Sequence, residues 1–239
     1  MGGADTPASE IKLPRGLSTG LVLLLGSLVA LMAATIAAFS NRIYVVQKFR
    51  SGQIVTAAQA DSADDLVGTI ATIEGWVWIA AFVLWILWQF RAQRAARELS
   101  PVDRFRFTPG WVIGWWFIPI ANLWMPFETV RELWKSSEGR LDWPQMPTWS
   151  VIGWWWGLFL ISIVTFNVAS VAANEATTPE AVIRGDSFFI AALVLDIAAS
   201  ILAIAIVRSV RHRQDLAAGS HSLMREGAPP SVPPPPVPI

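Results

Sequence analysis

Four stretches of the chain are almost continuously apolar over about 20 residues each, and more polar segments separate them. They are residues 17–39, 69–90, 149–171 and 187–207. A hydrocarbon core about 30 Å thick needs about 20 helical residues, each rising about 1.5 Å. The pattern therefore predicts an all-α membrane protein with four transmembrane helices and a membrane domain over residues 17–210.

The first of these stretches follows a short N-terminal segment, residues 1–16, that contains Lys12 and Arg15. A cleaved secretory signal peptide has similar flanking residues, but its apolar run is only about 7 to 15 residues long. The longer run at 17–39 favours a membrane anchor that the protein retains.

A fifth apolar stretch, "WVIGWWFIPIANLWMPF" at residues 111–127, is shorter and contains two prolines. Pro119 and Pro126 lack a backbone N–H, so a straight helix through both would leave carbonyl groups unpaired in lipid. We therefore expect a re-entrant hairpin over 111–127, leading into an interfacial helix over 126–136. A proline-kinked fifth span and a flat surface segment are the alternatives.

The distribution of basic residues favours the hairpin. Without a fifth crossing, one side of the membrane holds 14 of the 18 Lys and Arg residues, and the other side holds four. A fifth crossing would divide them almost equally. Because cytoplasmic loops are enriched in Lys and Arg, we expect four spans with both termini in the cytoplasm.

Composition narrows the chemistry that the chain can carry. Hydrophobic residues make up 54% of the chain and charged residues 15%, and the net charge is zero, which favours a lipid bilayer over nucleic acid as the partner. There is no cysteine, and the two histidines, His212 and His221, lie near the C-terminus. We therefore predict no cofactor, no metal site and no catalytic constellation. A protein partner or a homo-oligomer is possible.

Two further patterns concern the repeat and the tail. The pentapeptide "VIGWW" occurs at 112–116 and again at 151–155, either by chance or as a short parallel repeat. Residues 211–239 end in "GAPPSVPPPPVPI", which predicts a disordered, proline-rich cytoplasmic tail.

Tryptophan is unusually frequent, with 14 residues in the chain. Indole rings favour the membrane interface, which accounts for most of them. Trp154, Trp155 and Trp156 should lie deeper, where they either stack on the hairpin or line a groove for a hydrophobic ligand.

Four polar residues in or near the apolar stretches are candidate sites. Asp196 lies at the middle of the last span, where an ionised carboxylate costs about 3 kcal/mol or more, so we expect it to face protein or to be protonated. It either relays protons or binds a cation, or it bonds to an indole N–H or to Asn122. Glu74 can pair with Arg42 or reach the interface, and Asn167 is a plausible polar neighbour.

The stretch "FTPGWVIGWWFIPIANLWMPFETVRELWKSS" at 107–137 resembles a bacterial membrane family, domain of unknown function 4328. The resemblance extends over most of the membrane region and implies a location in the bacterial inner membrane, but it implies no activity. Its pattern is a Gly-Trp-rich entry, a proline turn and an Arg-Glu-x-Trp exit. Here these residues are Gly114, Trp115, Phe117, Pro119, Asn122, Leu123, Pro126, Arg131, Glu132 and Trp134. Trp116, within the same stretch, is a further candidate for packing in the hairpin.

Three classes of function follow from these features. A membrane scaffold or partner-binding protein comes first, because it needs only the surfaces already described. A small transporter or channel would use the broken segment around Pro119 and Asn122 together with Asp196, and it predicts a polar, water-accessible cavity that joins them. A lipid-modifying enzyme comes third, because the sequence shows no nucleophile paired with a base.

Overall fold

The computed structural model describes residues 12–226, apart from the side chains at 221, 222 and 224–226. Four long helices dominate it, and all four are long and apolar enough to cross a membrane, as the hydrophobic pattern predicts. They are α1 (Arg15–Arg50), α2 (Ala57–Leu99), α5 (Ser150–Asn174) and α6 (Pro179–Glu226). The described part of the chain contains no β-strand, so the all-α membrane fold class is confirmed.

The helices extend well beyond the apolar stretches that identify them. Helices α1 and α2 are separated only by residues 51–56, where Gly52 adopts a left-handed φ of 78°. Helix α2 then begins at a capping box, in which the Thr56 hydroxyl accepts from the Gln59 backbone N–H at 3.3 Å and the Gln59 side chain accepts from the Thr56 N–H at 3.1 Å. The segment between the first two spans is therefore helical along most of its length.

Helix α6 continues to Glu226, so the first part of the tail predicted over 211–239 is helical. Residues 227–239, which carry most of the prolines of that tail, lie outside the described residues, as does most of the N-terminal segment 1–16.

The four long helices pack in the spatial order α5, α6, α1, α2. Helix α1 lies between α2 and α6, and α6 lies between α1 and α5, so α2 and α5 are the outer members. Buried apolar side chains such as Leu21, Met32, Ile152 and Ile206 fill the interfaces. This order leaves a lateral gap between the backbones of α2 and α5.

The segment between α2 and α5 is broken into short pieces. Helix α3 (Pro109–Gly114) leads into two 3-10 helical turns, Trp115–Phe117 and Ala121–Leu123. Helix α4 (Met125–Ser136) follows, with Pro126 in its first turn. Pro119 lies between the two 3-10 turns, so no straight helix forms here.

The start and the end of the broken segment lie side by side. The backbone N–H groups of Arg106 and Phe107, which precede α3, both donate to the carboxylate of Glu132 in α4, at 2.7 Å and 3.3 Å. The chain therefore returns to the end of the bundle from which it left. Helices α3 and α4 pack on α2, and α4 also contacts α5 and α6.

Ion pairs join three helices at the opposite end of the bundle. Arg42 of α1 donates to Asp186 of α6, whose side chain is almost fully buried, and it also lies 3.4 Å from Asp64 of α2. A buried charge pair of this kind sets the relative positions of its helices, because an unpaired partner would be costly.

Candidate functional site

A cleft lies at the gap between α2 and α5, with α1 and α6 forming its floor. It encloses about 70 Å³ and opens to the surface of the bundle. Six aromatic side chains line it: Trp78, Phe82 and Trp85 from α2, Trp116 from the broken segment, and Trp155 and Phe159 from α5. The floor contributes Leu25 and Leu28 of α1, small side chains of α6, and Asp196.

Asp196 is the one ionisable side chain that lines this cleft. No hydrogen bond joins it to Asn122, to an indole N–H or to any other group among the described residues. Glu74 of α2 lies close enough for the two carboxyl groups to interact electrostatically. Glu74 itself accepts a hydrogen bond from the Thr35 hydroxyl of α1. Two carboxyl groups from distant parts of the sequence therefore lie in the same part of the bundle.

The expected partners of Glu74 are located elsewhere. Arg42 is engaged by Asp186 and Asp64, so the pairing of Glu74 with Arg42 that the sequence allows does not form. Asn167 donates to the backbone carbonyl of Ile163 in its own helix at 2.8 Å. Neither side chain neutralises the two carboxyl groups.

The aromatic side chains that line the cleft contact one another across it. Trp85 of α2 and Trp155 of α5 lie with ring centroids 5.2 Å apart, and Trp116 packs edge-on against Phe82 at 5.4 Å. The indole N–H of Trp85 is buried and has no hydrogen-bond partner within residues 12–226. Trp116 and Trp155 are the last residues of the two "VIGWW" copies, so the repeated motif contributes one ring from each copy to the same cleft.

The transporter hypothesis predicts a polar cavity that joins the broken segment to Asp196. A cavity lies between them, but its lining is mainly apolar. It joins the broken segment, through Trp116, to Asp196. Its lining is mainly aromatic and aliphatic, whereas a polar cavity was expected. Asn122 and Pro119 do not line it, because the broken segment reaches the cleft with Trp116 alone.

A second polar cluster holds the broken segment against α2, and we call it the hairpin clamp: Gln89, Gln93, Trp116, Thr129 and Glu132. Trp116 donates its indole N–H to Gln89 Oε1 at 3.2 Å, and Gln89 donates to the Thr129 hydroxyl at 2.9 Å. Gln93 donates to Glu132 at 2.9 Å. Both glutamines are fully buried, so the clamp is enclosed within protein.

Glu132 is the centre of the clamp, because it accepts from Gln93 and from the backbone N–H groups of Arg106 and Phe107. Burial raises the pKa of the Glu132 carboxyl, while these hydrogen bonds and the nearby charge of Arg97 act in the opposite direction. The carboxyl thus joins the entry of the broken segment to its exit.

The other residues of the family-like pattern also pack around the broken segment. Gly114 lies against the Trp111 ring, where an added Cβ would approach the ring to 3.2 Å, and Trp115 stacks on Trp111 at 4.8 Å. Phe117 is largely exposed. Side chains of this kind on the outside of an apolar bundle are suited to contact with lipid.

Trp134 joins helix α4 to helix α6. Its indole N–H donates to Ser209 of α6 at 2.9 Å, and the guanidinium of Arg213 lies 3.6 Å from its ring centroid. Arg131 pairs with Glu128 within α4. Helix α4 is thereby fixed to α6 as well as to α2.

The three consecutive tryptophans of α5 have different surroundings. Trp156 donates to the backbone carbonyl of Leu123 at 2.8 Å and packs edge-on against Trp116. Trp155 lines the cleft. Trp154 is 69% exposed and points away from both, because successive helix positions differ by about 100°.

Sequence reasoning missed Gln89, Gln93, Thr129 and Thr35. The two glutamines were detectable, since they lie four residues apart at the end of an apolar run and therefore share one helix face. Thr35 carried no such signal, because a threonine in a membrane helix can bond to its own backbone, as Thr35 also does with Leu31.

These features define a class: an all-α membrane protein whose four long helices hold a proline-broken hairpin at one end. The chain belongs to the family described as "Domain of unknown function (DUF4328)", whose model matches residues 51–212. That range contains the cleft-lining parts of α2, α5 and α6 but excludes α1. Comparisons with curated proteins and with solved structures found no significant match.

Proposed function

We propose that the protein is a small membrane transporter or channel for protons or cations, and that Asp196 is its central binding group. The observation that carries this proposal is the position of Asp196. It lines a cleft, it lies within an apolar helix long enough to span a membrane, and it has no hydrogen-bond partner among the described residues. An acidic group inside a membrane is costly, and such residues typically mark ion or proton pathways.

Glu74 supports the same function. It adds a second carboxyl group near Asp196, and no basic side chain pairs with either among the described residues. Two carboxyl groups that repel each other and have no counter-charge favour the uptake of a proton or a cation, because the repulsion disfavours the doubly ionised state.

A scaffold or partner-binding protein and a lipid-modifying enzyme receive less support. A scaffold requires a partner surface, and no feature of the described residues selects one. An enzyme requires a reactive group beside an acid or base, and the cleft offers a carboxyl group among aromatic rings. In the described part of the chain, no three His, Cys, Asp or Glu side chains are grouped as a metal site.

The proposal includes an arrangement in the bacterial inner membrane. Both termini lie in the cytoplasm, and the broken segment enters the bilayer from that side and returns to it. The excess of Lys and Arg at that end supports this orientation. The side chains of Ile120 and Leu123, which are 72% and 56% exposed, are suited to contact lipid.

Single cysteines test the arrangement, because the native chain has none. Thr177→Cys, between α5 and α6, should react with a membrane-impermeant thiol reagent in intact cells. Asp103→Cys, whose native side chain is highly exposed between α2 and α3, should react only after the cells are opened. Labelling of Asp103→Cys in intact cells would invert the orientation or place a crossing between the two sites.

Ion flux in liposomes tests the function. Purified protein is reconstituted with a pH-sensitive dye inside, and proton entry is measured under an imposed membrane potential, with Na⁺ and K⁺ flux measured in parallel. We expect flux above that of empty liposomes, and at least a tenfold loss in Asp196→Asn. The matched control is Asp65→Asn, which changes an exposed aspartate on α2. Equal flux in wild type and Asp196→Asn, for every ion, would refute the proposal.

A further inference from the structure

The lining of the cleft discriminates between kinds of cation. A small inorganic cation such as Ca²⁺ takes six to eight oxygen ligands, and Mg²⁺ takes six. The cleft offers the carboxyl group of Asp196 and the hydroxyl group of Ser200, while most of its wall is aromatic or aliphatic. The oxygen atoms that a bare metal ion needs are therefore too few on this wall.

An organic ammonium ion is better suited to such a wall. The faces of aromatic rings attract cations, and indole is the strongest of them. Four of the six rings around Asp196 are indoles. A cation whose charge is spread over an ammonium group with carbon substituents can contact the carboxyl group and the rings together. Its removal from water also costs less free energy than the removal of a metal ion.

The cleft also lacks the completed hydrogen bonding of a packed core. Trp85 is only 6% exposed, yet its indole N–H has no partner. Asp196 likewise has no hydrogen-bond partner among the described residues, so its carboxyl group can pair with a cation that enters the cleft.

Access to the cleft is lateral. Helices α2 and α5 are the outer members of the bundle, and the cleft opens between them to its surface. Trp78, at this opening, is partly exposed and stacks on Phe82 with ring centroids 5.5 Å apart. A ligand that partitions into the bilayer would reach Asp196 without crossing the polar ends of the bundle.

We propose that the cleft binds a hydrophobic organic cation, whose ammonium group lies beside Asp196 and whose apolar part extends past Trp78 at the opening. This inference rests on the same carboxyl group as the proposed transport function and names the class of substrate. The volume of about 70 Å³ accommodates the ammonium end, and the rest of the ligand extends through the opening.

The test compares two probes of the same shape that differ in charge. Benzyltrimethylammonium carries a quaternary nitrogen where neopentylbenzene has a carbon atom. Binding of each to the full-length protein in detergent is measured by calorimetric titration. We expect the cation to bind at least about tenfold more tightly than its neutral counterpart, because only the cation gains the carboxylate and cation–π interactions.

Variants assign the binding to the cleft. Asp196→Asn should bring the two affinities to within about threefold of each other. Trp78→Leu should weaken binding of the cation, whereas Trp76→Leu, two positions away on α2 and 69% exposed, should not, because Trp76 does not line the cleft. Both tryptophans lie at the surface, so neither substitution should prevent folding.

The outcomes separate this inference from the proposed function. Equal affinities for the two probes in the wild type, or a preference for the cation that survives in Asp196→Asn, would overturn the inference. If proton or metal-cation flux still depends on Asp196 in that case, the proposed function stands without it. Binding that follows the expected pattern, in a protein whose liposomes carry neither protons, Na⁺, K⁺ nor benzyltrimethylammonium, would instead support a receptor for such cations and refute transport.

Discussion

The hairpin clamp and the cleft are both polar sites inside an apolar bundle, and they differ in how far their hydrogen bonds are satisfied. In the clamp, the Glu132 carboxyl accepts three N–H groups, and Gln89 both donates and accepts. In the cleft, Asp196 has no hydrogen-bond partner among the described residues, and the Trp85 N–H is also unpaired. The two sites meet at Trp116, which belongs to the clamp and also lines the cleft.

This difference indicates different roles. In the clamp, Gln93 Oε1 is the one buried polar side-chain atom without a hydrogen-bond partner among the described residues. A buried polar network in which the other members are paired stabilises one arrangement of the chain, since breaking a bond leaves a costly unpaired group. The unpaired polar groups of the cleft contribute little to stability, because they form no hydrogen bonds within the described part of the fold. We therefore expect substitutions in the clamp to lower stability and substitutions of polar groups in the cleft to affect binding.

The largest expected effect is that of Glu132→Ala. It removes the acceptor for Gln93 and for the N–H groups of Arg106 and Phe107, so we expect the free energy of unfolding to fall by about 3 kcal/mol. Unfolding in mixed detergent micelles, followed by far-ultraviolet circular dichroism, measures it. Glu98→Ala, an exposed glutamate near the end of α2, is the control and should change stability by less than about 0.5 kcal/mol. Equal effects of the two substitutions would show that the hydrogen bonds of the clamp do not stabilise the fold.

Gln89→Leu should have the next largest effect. The leucine keeps most of the volume but leaves the Trp116 indole without an acceptor and Thr129 without a donor, so we expect a loss of about 2 kcal/mol. The same unfolding measurement applies. The control is Gln53→Leu, at an exposed position between α1 and α2, which leaves side-chain hydrogen bonding unchanged. Gln59→Leu is not a suitable control, because Gln59 caps helix α2.

A pair of tryptophan substitutions compares the clamp and the cleft directly. Trp116→Phe and Trp85→Phe remove similar amounts of buried ring, but only Trp116 donates a hydrogen bond through its indole. We expect Trp116→Phe to be the more destabilising by about 1 kcal/mol, which is the contribution of one buried hydrogen bond. If Trp85→Phe were equally or more destabilising, the Trp85 N–H would form a stabilising hydrogen bond in the folded protein, and the contrast between clamp and cleft would fail.

The sequence predicted the elements that the membrane itself dictates. Four apolar stretches of membrane length form four long helices, and Pro119 with Pro126 interrupts the fifth stretch, because lipid offers no partner for an unpaired backbone group. The ends of the helices were not predictable from hydrophobicity, since α1, α2 and α6 continue beyond the apolar stretches as ordinary polar helices.

The neighbours of the acidic groups were less predictable, because they depend on the spatial order of the helices. Glu74 was expected beside Arg42, but Arg42 pairs with Asp186, which lies 144 positions later in the chain. No local pattern encodes the placement of α6 between α1 and α5. The same order brings Glu74 towards Asp196 and separates Asn122 from it.

The smallest expected effect on stability is that of Asp196→Asn, and it tests the comparison most sharply. The substitution conserves the shape of the side chain and removes a carboxyl group that has no hydrogen-bond partner in the described part of the chain, so no native hydrogen bond is lost. We expect the free energy of unfolding to stay within about 0.5 kcal/mol of the wild type, or to rise, since an amide is less costly than a carboxylate in a low-dielectric environment. A loss of 2 kcal/mol or more in the micelle assay would mean that Asp196 forms a stabilising bond within the fold. Its role would then be structural, and it would not serve as a binding group.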